Sequence, residues 1–148
     1  MLLLNLPHYE FKITEGETGK IFDFIRKKYV TLTPEEWVRQ NFLKYLVSEK
    51  KYPQSLILIE KNLQVHQTKK RCDAVVYNNS GQPLMILEFK KPEVAINQDV
   101  FDQIGRYNIP LKVKYLVVSN GLKHYCCAID FEKNKFWFVD GIPDYNLL

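Results

Sequence analysis

The chain has 148 residues, 46% of them hydrophobic and 14% aromatic, which fits one domain with a real core. Charged residues make up 26% and the formal net charge is +4, so a polyanion partner is permitted but not demanded. Three cysteines, Cys72, Cys126 and Cys127, are odd in number and lack metal spacing, which argues against a disulfide framework and fits a reduced cytoplasm.

The opening Met1-Leu-Leu-Leu-Asn-Leu lacks a basic stretch and is too short for a signal segment. No apolar run approaches the roughly 20 residues of a spanning helix, so a soluble, cytoplasmic protein with no membrane partner is expected. Basic residues cluster in Arg26-Lys-Lys28, Lys50-Lys51, Lys69-Lys-Arg71 and Lys90-Lys91, each more often a solvated edge than a phosphate site.

Tyr9-Glu-Phe-Lys-Ile13 alternates, Glu15-Gly-Glu-Thr-Gly19 reads as a turn, and Ile21-Phe-Asp-Phe-Ile25 follows, which predicts a hairpin. Gly16-Glu-Thr-Gly19-Lys20 has too few residues between its glycines for a phosphate loop. No other nucleotide-binding motif appears, so no ATP motor is expected in this chain. Thr33-Pro34-Glu35-Glu36 starts a helix predicted to run from Pro34 to about Lys50, with Thr33 as its cap. Val38, Phe42, Leu43, Tyr45, Leu46 and Val47 form its apolar stripe, and Glu36, Arg39 and Gln40 point along the inward face. Thr33 and Glu36 also match a capping box, so Glu36 has both a capping and a site reading.

Ser55–Glu60 reads as a buried strand, with Leu63–His66 either extending it or forming a bent continuation. His66 stands alone and reads as structural. Arg71–Tyr77 and Pro83–Phe89 then form two strands around the polar turn Asn78-Asn-Ser-Gly-Gln82. Ile96–Asn108 reads as a second helix with Asn97 as its cap, and Gln103 and Tyr107 share a face. Lys114–Ser119 is a strand ended by Asn120-Gly121, and strands at His124–Ile129 and Phe136–Val139 follow.

The Arg71–Pro92 hairpin carries the chemistry. Alternation places Arg71, Asp73, Val75 and Tyr77 on one face of its first strand and Leu84, Ile86, Glu88 and Lys90 on one face of its second. If Tyr77 sits opposite Leu84, Asp73 falls opposite Glu88. Opposed like charges destabilise a sheet, and two carboxylates on an apolar face resist desolvation. A divalent cation such as Mg²⁺ removes both objections, and Lys90 points at the same spot. A plain Glu–Lys surface pair is the competing structural reading.

The fold class expected is α/β (α+β), with a mixed central sheet flanked by helices. Its order is αβββαβ with extra β elements at both ends. All 148 residues form one domain: a β-rich extension over 1–32, a core over 33–119, and strands and a tail over 120–148.

Five stretches in this order are Thr33-Pro-Glu-Glu-Trp-Val-Arg-Gln40, Lys70-Arg-Cys-Asp73, Glu88-Phe-Lys-Lys-Pro92, Asp102-Gln-Ile-Gly-Arg-Tyr-Asn108 and Ser119-Asn-Gly121. Together they resemble the PD-(D/E)xK nuclease superfamily, and within it the N-terminal nuclease domain of type I restriction enzyme R subunits and its small stand-alone relatives. The resemblance implies a restriction-endonuclease-like core. It implies that Asp73 and Glu88 bind metal, that Lys90 is the catalytic lysine, and that Glu36 is the acidic residue of the first helix. Gln103 and Tyr107 match the Q-x-x-x-Y element of the RecB-like branch. Cys72 replaces the proline of the name motif, and the helicase domains of an R subunit are absent.

The function so implied is a metal-dependent DNA endonuclease domain of the restriction-modification type. Asp73, Glu88 and the Phe89 carbonyl would hold Mg²⁺, for which Mn²⁺ substitutes, and Glu36 is a further candidate ligand. Lys69, Lys70, Arg71, Lys91, Arg106 and Tyr107 are candidate DNA contacts, with no base-reading module among them. Cutting both strands needs two active sites. A homodimer or partner restriction or helicase subunits are therefore expected, although no motif specifies either. The alternative function is a non-catalytic DNA-binding or assembly module that keeps the nuclease fold.

Overall fold

A computed structural model describes residues 2–65 and 68–148, apart from the side chains of 61–65, 68–71, 104 and 106–110. His66, read above as structural, lies outside the described residues.

The N-terminal region contributes β1 (Lys20–Asp23) and β2 (Lys28–Thr31), paired antiparallel as a two-stranded sheet. The expected hairpin of Tyr9–Ile13 against Ile21–Ile25 forms in short form: Ile13 bridges Ile21, flanked by the Thr14 amide bonded to the Lys20 carbonyl at 2.9 Å and the Phe22 amide bonded to the Lys12 carbonyl at 2.8 Å. A second reversal follows, where Asp23 organises a turn between β1 and β2: its Oδ1 accepts the amides of Ile25 and Arg26, both at 2.9 Å. The segment after Gly16 is a turn, as expected.

α1 (Pro34–Glu49) begins at the predicted cap, where Thr33 Oγ1 accepts the Glu36 amide at 3.0 Å. The reciprocal half of the capping box is not made: the Thr33 amide donates to the Thr31 carbonyl at 3.1 Å. α1 buries Val38, Phe42, Leu43 and Leu46, whereas Tyr45 and Val47 are only half-buried. Beside this stripe it also buries Glu36, Arg39, Gln40 and Asn41. Polar side chains that a helix would ordinarily present to water are thus turned inward at its N-terminal half.

The main sheet has six strands in the order β3 (Ile57–Val65), β4 (Thr68–Tyr77), β5 (Pro83–Phe89), β6 (Tyr115–Ser119), β7 (His124–Asp130) and β8 (Lys135–Val139). Among the described residues only β5 and β6 pair in parallel, joined across the sheet by α2 (Gln98–Leu111). The predicted order of elements is therefore the observed one. Asn97 supports the start of α2 by accepting the Val100 amide at 3.3 Å. The helix runs past Asn108 to Leu111, with Pro110 in its last turn.

Two apolar clusters sandwich the sheet. On one face Ala74, Val76, Met85, Leu87 and Phe89 pack against Val38, Phe42, Leu43 and Leu46 of α1. On the other, Val75, Ile86, Leu116, Val118 and Cys127 pack with Val100, Phe101 and Leu111 of α2. All three cysteines are buried, and none is in a disulfide. Among the described residues, no helix is long and apolar enough to cross a membrane.

The hairpin register holds in its inner part, where Ala74 faces Leu87, Val75 faces Ile86 and Val76 faces Met85. It shifts at the turn, so Tyr77 faces Pro83 rather than Leu84. Asn78 drives the shift: its Oδ1 accepts the amides of Ser80 and Gln82 at 2.9 Å each, and Gly81 takes φ +78°.

Candidate active site

Asp73, midway along β4, and Glu88, near the end of β5, meet where the β4–β5 pairing runs out. The Ala74–Leu87 pair, continued by one residue, sets Asp73 opposite Glu88. The Phe89 amide donates to Asp73 Oδ2 at 2.7 Å, which fixes one carboxylate to the neighbouring strand. Lys90 leaves β5 with its amide bonded to the Ser119 carbonyl at 2.9 Å, and its Nζ lies 3.7 Å from Glu88 Oε1. Glu88 is buried, and its Oε2 has no hydrogen-bond partner among the described residues.

Burial, followed by the charge of Asp73, pushes the Glu88 carboxyl up to about 8, against the opposing pull of Lys90. Burial likewise raises Asp73, opposed by the Phe89 amide and by the charge of Arg39. The charge of Glu35 acts on both carboxylates in the raising direction. Two buried carboxylates compete for protons here, and one of them has an orphan oxygen. That donor set fits a hard divalent cation completed by a carbonyl, waters or phosphate oxygens. Among the described residues no three His, Cys, Asp or Glu side chains group closely enough to hold a metal by themselves.

The strand is irregular at this point. On β3, Ile59 faces Ala74 and Lys61 faces Cys72, with Glu60 between them at the level of Asp73. Glu60 takes φ +57°, a sparsely populated conformation for a side-chain-bearing residue. Cys72 packs with Val75 and Ile86 rather than with Ala74. The strict alternation expected from Arg71 to Tyr77 therefore lapses at Asp73. The lapse leaves Asp73 within the electrostatic reach of Glu35 and Arg39 on α1.

Glu36 is placed differently from the capping reading. Its carboxylate lies 3.4 Å from Arg26 Nη2 and 3.1 Å from Arg39 Nε, and accepts from Gln40 Nε2 at 3.1 Å. Arg26 and Arg39 each also pair with Glu60 at 3.3 Å, which closes a four-membered ring of charges. Asp23 adds a further ion pair to Arg26. Glu35 is the α1 carboxylate whose charge reaches Asp73 and Glu88. Adjacent glutamates at a helix start look alike in sequence, and only the rotation of α1 separates them.

Of the remaining site candidates, Lys91 is exposed just past Lys90, and Gln103 is exposed on α2. The side chains of Lys69, Lys70, Arg71, Arg106 and Tyr107 lie outside the described residues. Their backbones belong to β4 and α2 respectively. Sequence reading did not single out Glu35, Glu60 or Asp23. Glu60 left no signal, because a positive φ at a glutamate is not written in residue type.

The domain is defined by a helix-flanked mixed sheet with a carboxylate pair and a lysine where its central hairpin meets the first helix. The family described as type I restriction enzyme R protein N terminus matches residues 34–143, and the chain belongs to it. A solved fragment described as an HsdR subunit of a type I restriction enzyme from Vibrio vulnificus YJ016 has the same fold. Its TM-score is 0.54 at 17% identity, over 76% of this chain and 24% of that one. The chain thus spans about a quarter of that relative's length. No curated protein sequence matches it.

Proposed function

We propose that this domain is a Mg²⁺-dependent DNA endonuclease of the PD-(D/E)xK type, acting by phosphodiester hydrolysis. One observation carries the reading: buried Glu88, with an orphan oxygen and its carboxyl pushed up to about 8, faces Asp73 beside Lys90. Asp73, Glu88 and the Phe89 carbonyl would hold Mg²⁺ or Mn²⁺. The ion supplies Lewis acidity toward a phosphate oxygen and toward the attacking water. Lys90 orients that water and offsets charge that builds on the phosphate. Arg39 and the Phe89 amide favour the ionised form of Asp73. Lys69, Lys70, Arg71, Lys91, Arg106 and Tyr107 would contact the DNA backbone, which makes binding salt-dependent and largely indifferent to sequence. Gln103 is kept as a positioning candidate on α2, and Glu36 acts through Arg39 rather than as a ligand. Partner restriction or helicase subunits would supply a motor, and a cytoplasmic setting matches DNA as substrate.

Plasmid DNA incubated with pure protein and Mg²⁺ or Mn²⁺ tests this. Metal-dependent nicking or cutting is expected, and Asp73→Ala and Lys90→Ala abolish it. Absence of cleavage, or variants that cut as well as wild type, would sink the proposal. A non-catalytic DNA-binding or assembly module is the rival reading, and it draws on Glu36 being held by Arg26 and Arg39. It requires salt-sensitive DNA binding with no metal-dependent turnover.

A further inference from the structure

We propose that Asn120 is a positioning residue for the proposed hydrolysis, its side-chain amide clamping the turn that follows Lys90. The role in cleavage rests on the endonuclease reading, whereas the clamp itself rests on geometry.

β5 ends at Phe89, which faces Ser119 in the last pair of the parallel β5–β6 ladder. Lys90 therefore stands one residue beyond the ladder. A long side chain there is ordered by whatever holds its main chain. Its amide donates to the Ser119 carbonyl at 2.9 Å. The chain then reverses through Lys91–Val94, with Pro92 in the second position of the turn. The Val94 amide donates to the Lys91 carbonyl at 3.0 Å. Asn120 Nδ2 donates to the Val94 carbonyl at 2.9 Å and closes the far end of that turn. Residues 90–94 are thus held at both ends, by Ser119 at the end of β6 and by Asn120 just after it. With the ends fixed, Lys90 Nζ stays 3.7 Å from Glu88 Oε1, and Lys91 stands exposed just past it. Glu88 lies inside the ladder, opposite Val118, and does not depend on this anchor.

Asn120 does more than its own turn requires. Its Oδ1 accepts the Leu122 and Lys123 amides at 3.0 and 2.8 Å, and its own amide donates to the Lys123 carbonyl at 3.3 Å. Those two donors fix which end of the side chain is oxygen, so the nitrogen faces Val94. An Asp or a Ser would serve the local turn as well. The amide group is what the bond to Val94 requires, 26 residues away along the chain. The turn that carries Asn120 is itself braced. Ser119 Oγ accepts the Gly121 amide at 2.9 Å and lies 2.6 Å from His124 Nδ1, whose Nε2 lies 2.8 Å from the Asn5 carbonyl. Asn120 is buried, where water replaces a lost hydrogen bond poorly. Ser119-Asn-Gly121 thereby anchors the segment that brings Lys90 to the carboxylates.

Two variants of the full chain test this, read by amide exchange, Mg²⁺ calorimetry and steady-state cleavage of plasmid DNA. Asn120→Asp keeps the acceptor for Leu122 and Lys123 and loses the donor to Val94. Asn120→Ser also keeps an acceptor, is uncharged and is too short to reach Val94. In both, exchange at the Lys90 and Val94 amides should quicken about tenfold or more. Well below the melting temperature kcat should fall about tenfold or more, with Mg²⁺ affinity unchanged. A lower melting temperature with kcat of the folded protein intact marks a merely structural role and overturns the proposal. Unchanged exchange at Lys90 and Val94 overturns the clamp. A kcat loss confined to Asn120→Asp assigns the effect to the added charge and equally overturns it. Wild type that never cleaves overturns the endonuclease reading, and the positioning role with it, while exchange at Lys90 and Val94 still decides the clamp.

Discussion

The amide of Phe89 donates a 2.7 Å hydrogen bond to Oδ2 of Asp73. Main chain from β5 therefore fixes the carboxylate of β4, while Lys90 stands 3.7 Å from Glu88 instead. The two carboxylates are unequal as a result. Asp73 has an amide and Arg39 favouring its charge, whereas Glu88 has Lys90 and an oxygen without a partner among the described residues. The proton goes to Glu88 when no cation is bound.

That inequality predicts how metal-free stability follows pH. The Glu88 carboxyl rises from its ordinary 4.5 to about 8 on folding. The folded state therefore holds a proton that the unfolded state releases. This increment is fully present below pH 4.5 and is lost as pH rises through about 8. Metal-free protein should be less stable at about pH 8 than at about pH 5 by on the order of a few kcal/mol, and melt at a lower temperature there. Glu88→Gln should flatten the profile. Adding Mg²⁺ should restore stability at the higher pH and do little at the lower one, where the site must release a proton first. A melting profile that Glu88→Gln leaves unchanged would refute this role for Glu88.

Lys90 and Asp73 should separate in a comparison of binding with cleavage. Lys90→Ala should lower cleavage by about a hundredfold or more. It should leave Mg²⁺ binding measurable by calorimetry, shifted to higher pH because Lys90 pulls the Glu88 carboxyl down. Asp73→Asn should remove the calorimetric signal and cleavage together. Equal losses of Mg²⁺ binding in the two variants would assign Lys90 to the ion site itself.

The fold was legible where local signals are strong. Thr33-Pro34 marked the start of α1, the helix between the third and fourth core strands implied the parallel β5–β6 pair, and the hairpin placed Asp73 against Glu88. What was illegible depended on single backbone or rotational choices. Asn78 captured two amides and moved the register at Tyr77, and Asp23 added a second reversal between β1 and β2. The site followed the same division. Residue type indicated the carboxylates and the lysine, but not the positive φ of Glu60 or the turn of α1 that separates Glu35 from Glu36.

Glu35 and Glu36 should therefore fail in different ways. Glu36 is buried in the ring formed with Arg26, Arg39 and Glu60. Glu36→Ala leaves two guanidinium groups short of a counter-charge and should cost about 3–5 kcal/mol in urea unfolding. Glu35→Gln removes a charge that raises both site carboxylates. It should barely change stability, yet move the pH at which Mg²⁺ binds downward. If Glu35→Gln leaves that pH unchanged, the reach inferred for Glu35 is wrong.

Gly121 offers a control outside the chemistry. It follows Ser119-Asn120, where Asn120 Oδ1 accepts the amides of Leu122 and Lys123 at 3.0 and 2.8 Å. Gly121 takes φ +85°, and a Cβ there would lie 2.7 Å from Leu4 Cδ2 and 3.1 Å from Val38 Cγ2. Leu4 can shift, but Val38 is fixed on α1 in the core. Gly121→Ala therefore combines backbone strain with overpacking and should lose about 1–3 kcal/mol. The Gly121 carbonyl also accepts the Asn5 amide at 2.8 Å, so the N-terminal segment should loosen with it. Faster amide exchange at Asn5 alongside a lower melting temperature is the expected signature. Mg²⁺ binding at Asp73 and Glu88 should persist below the new melting temperature. Its loss would show that the N-terminal segment braces the site as well as the fold.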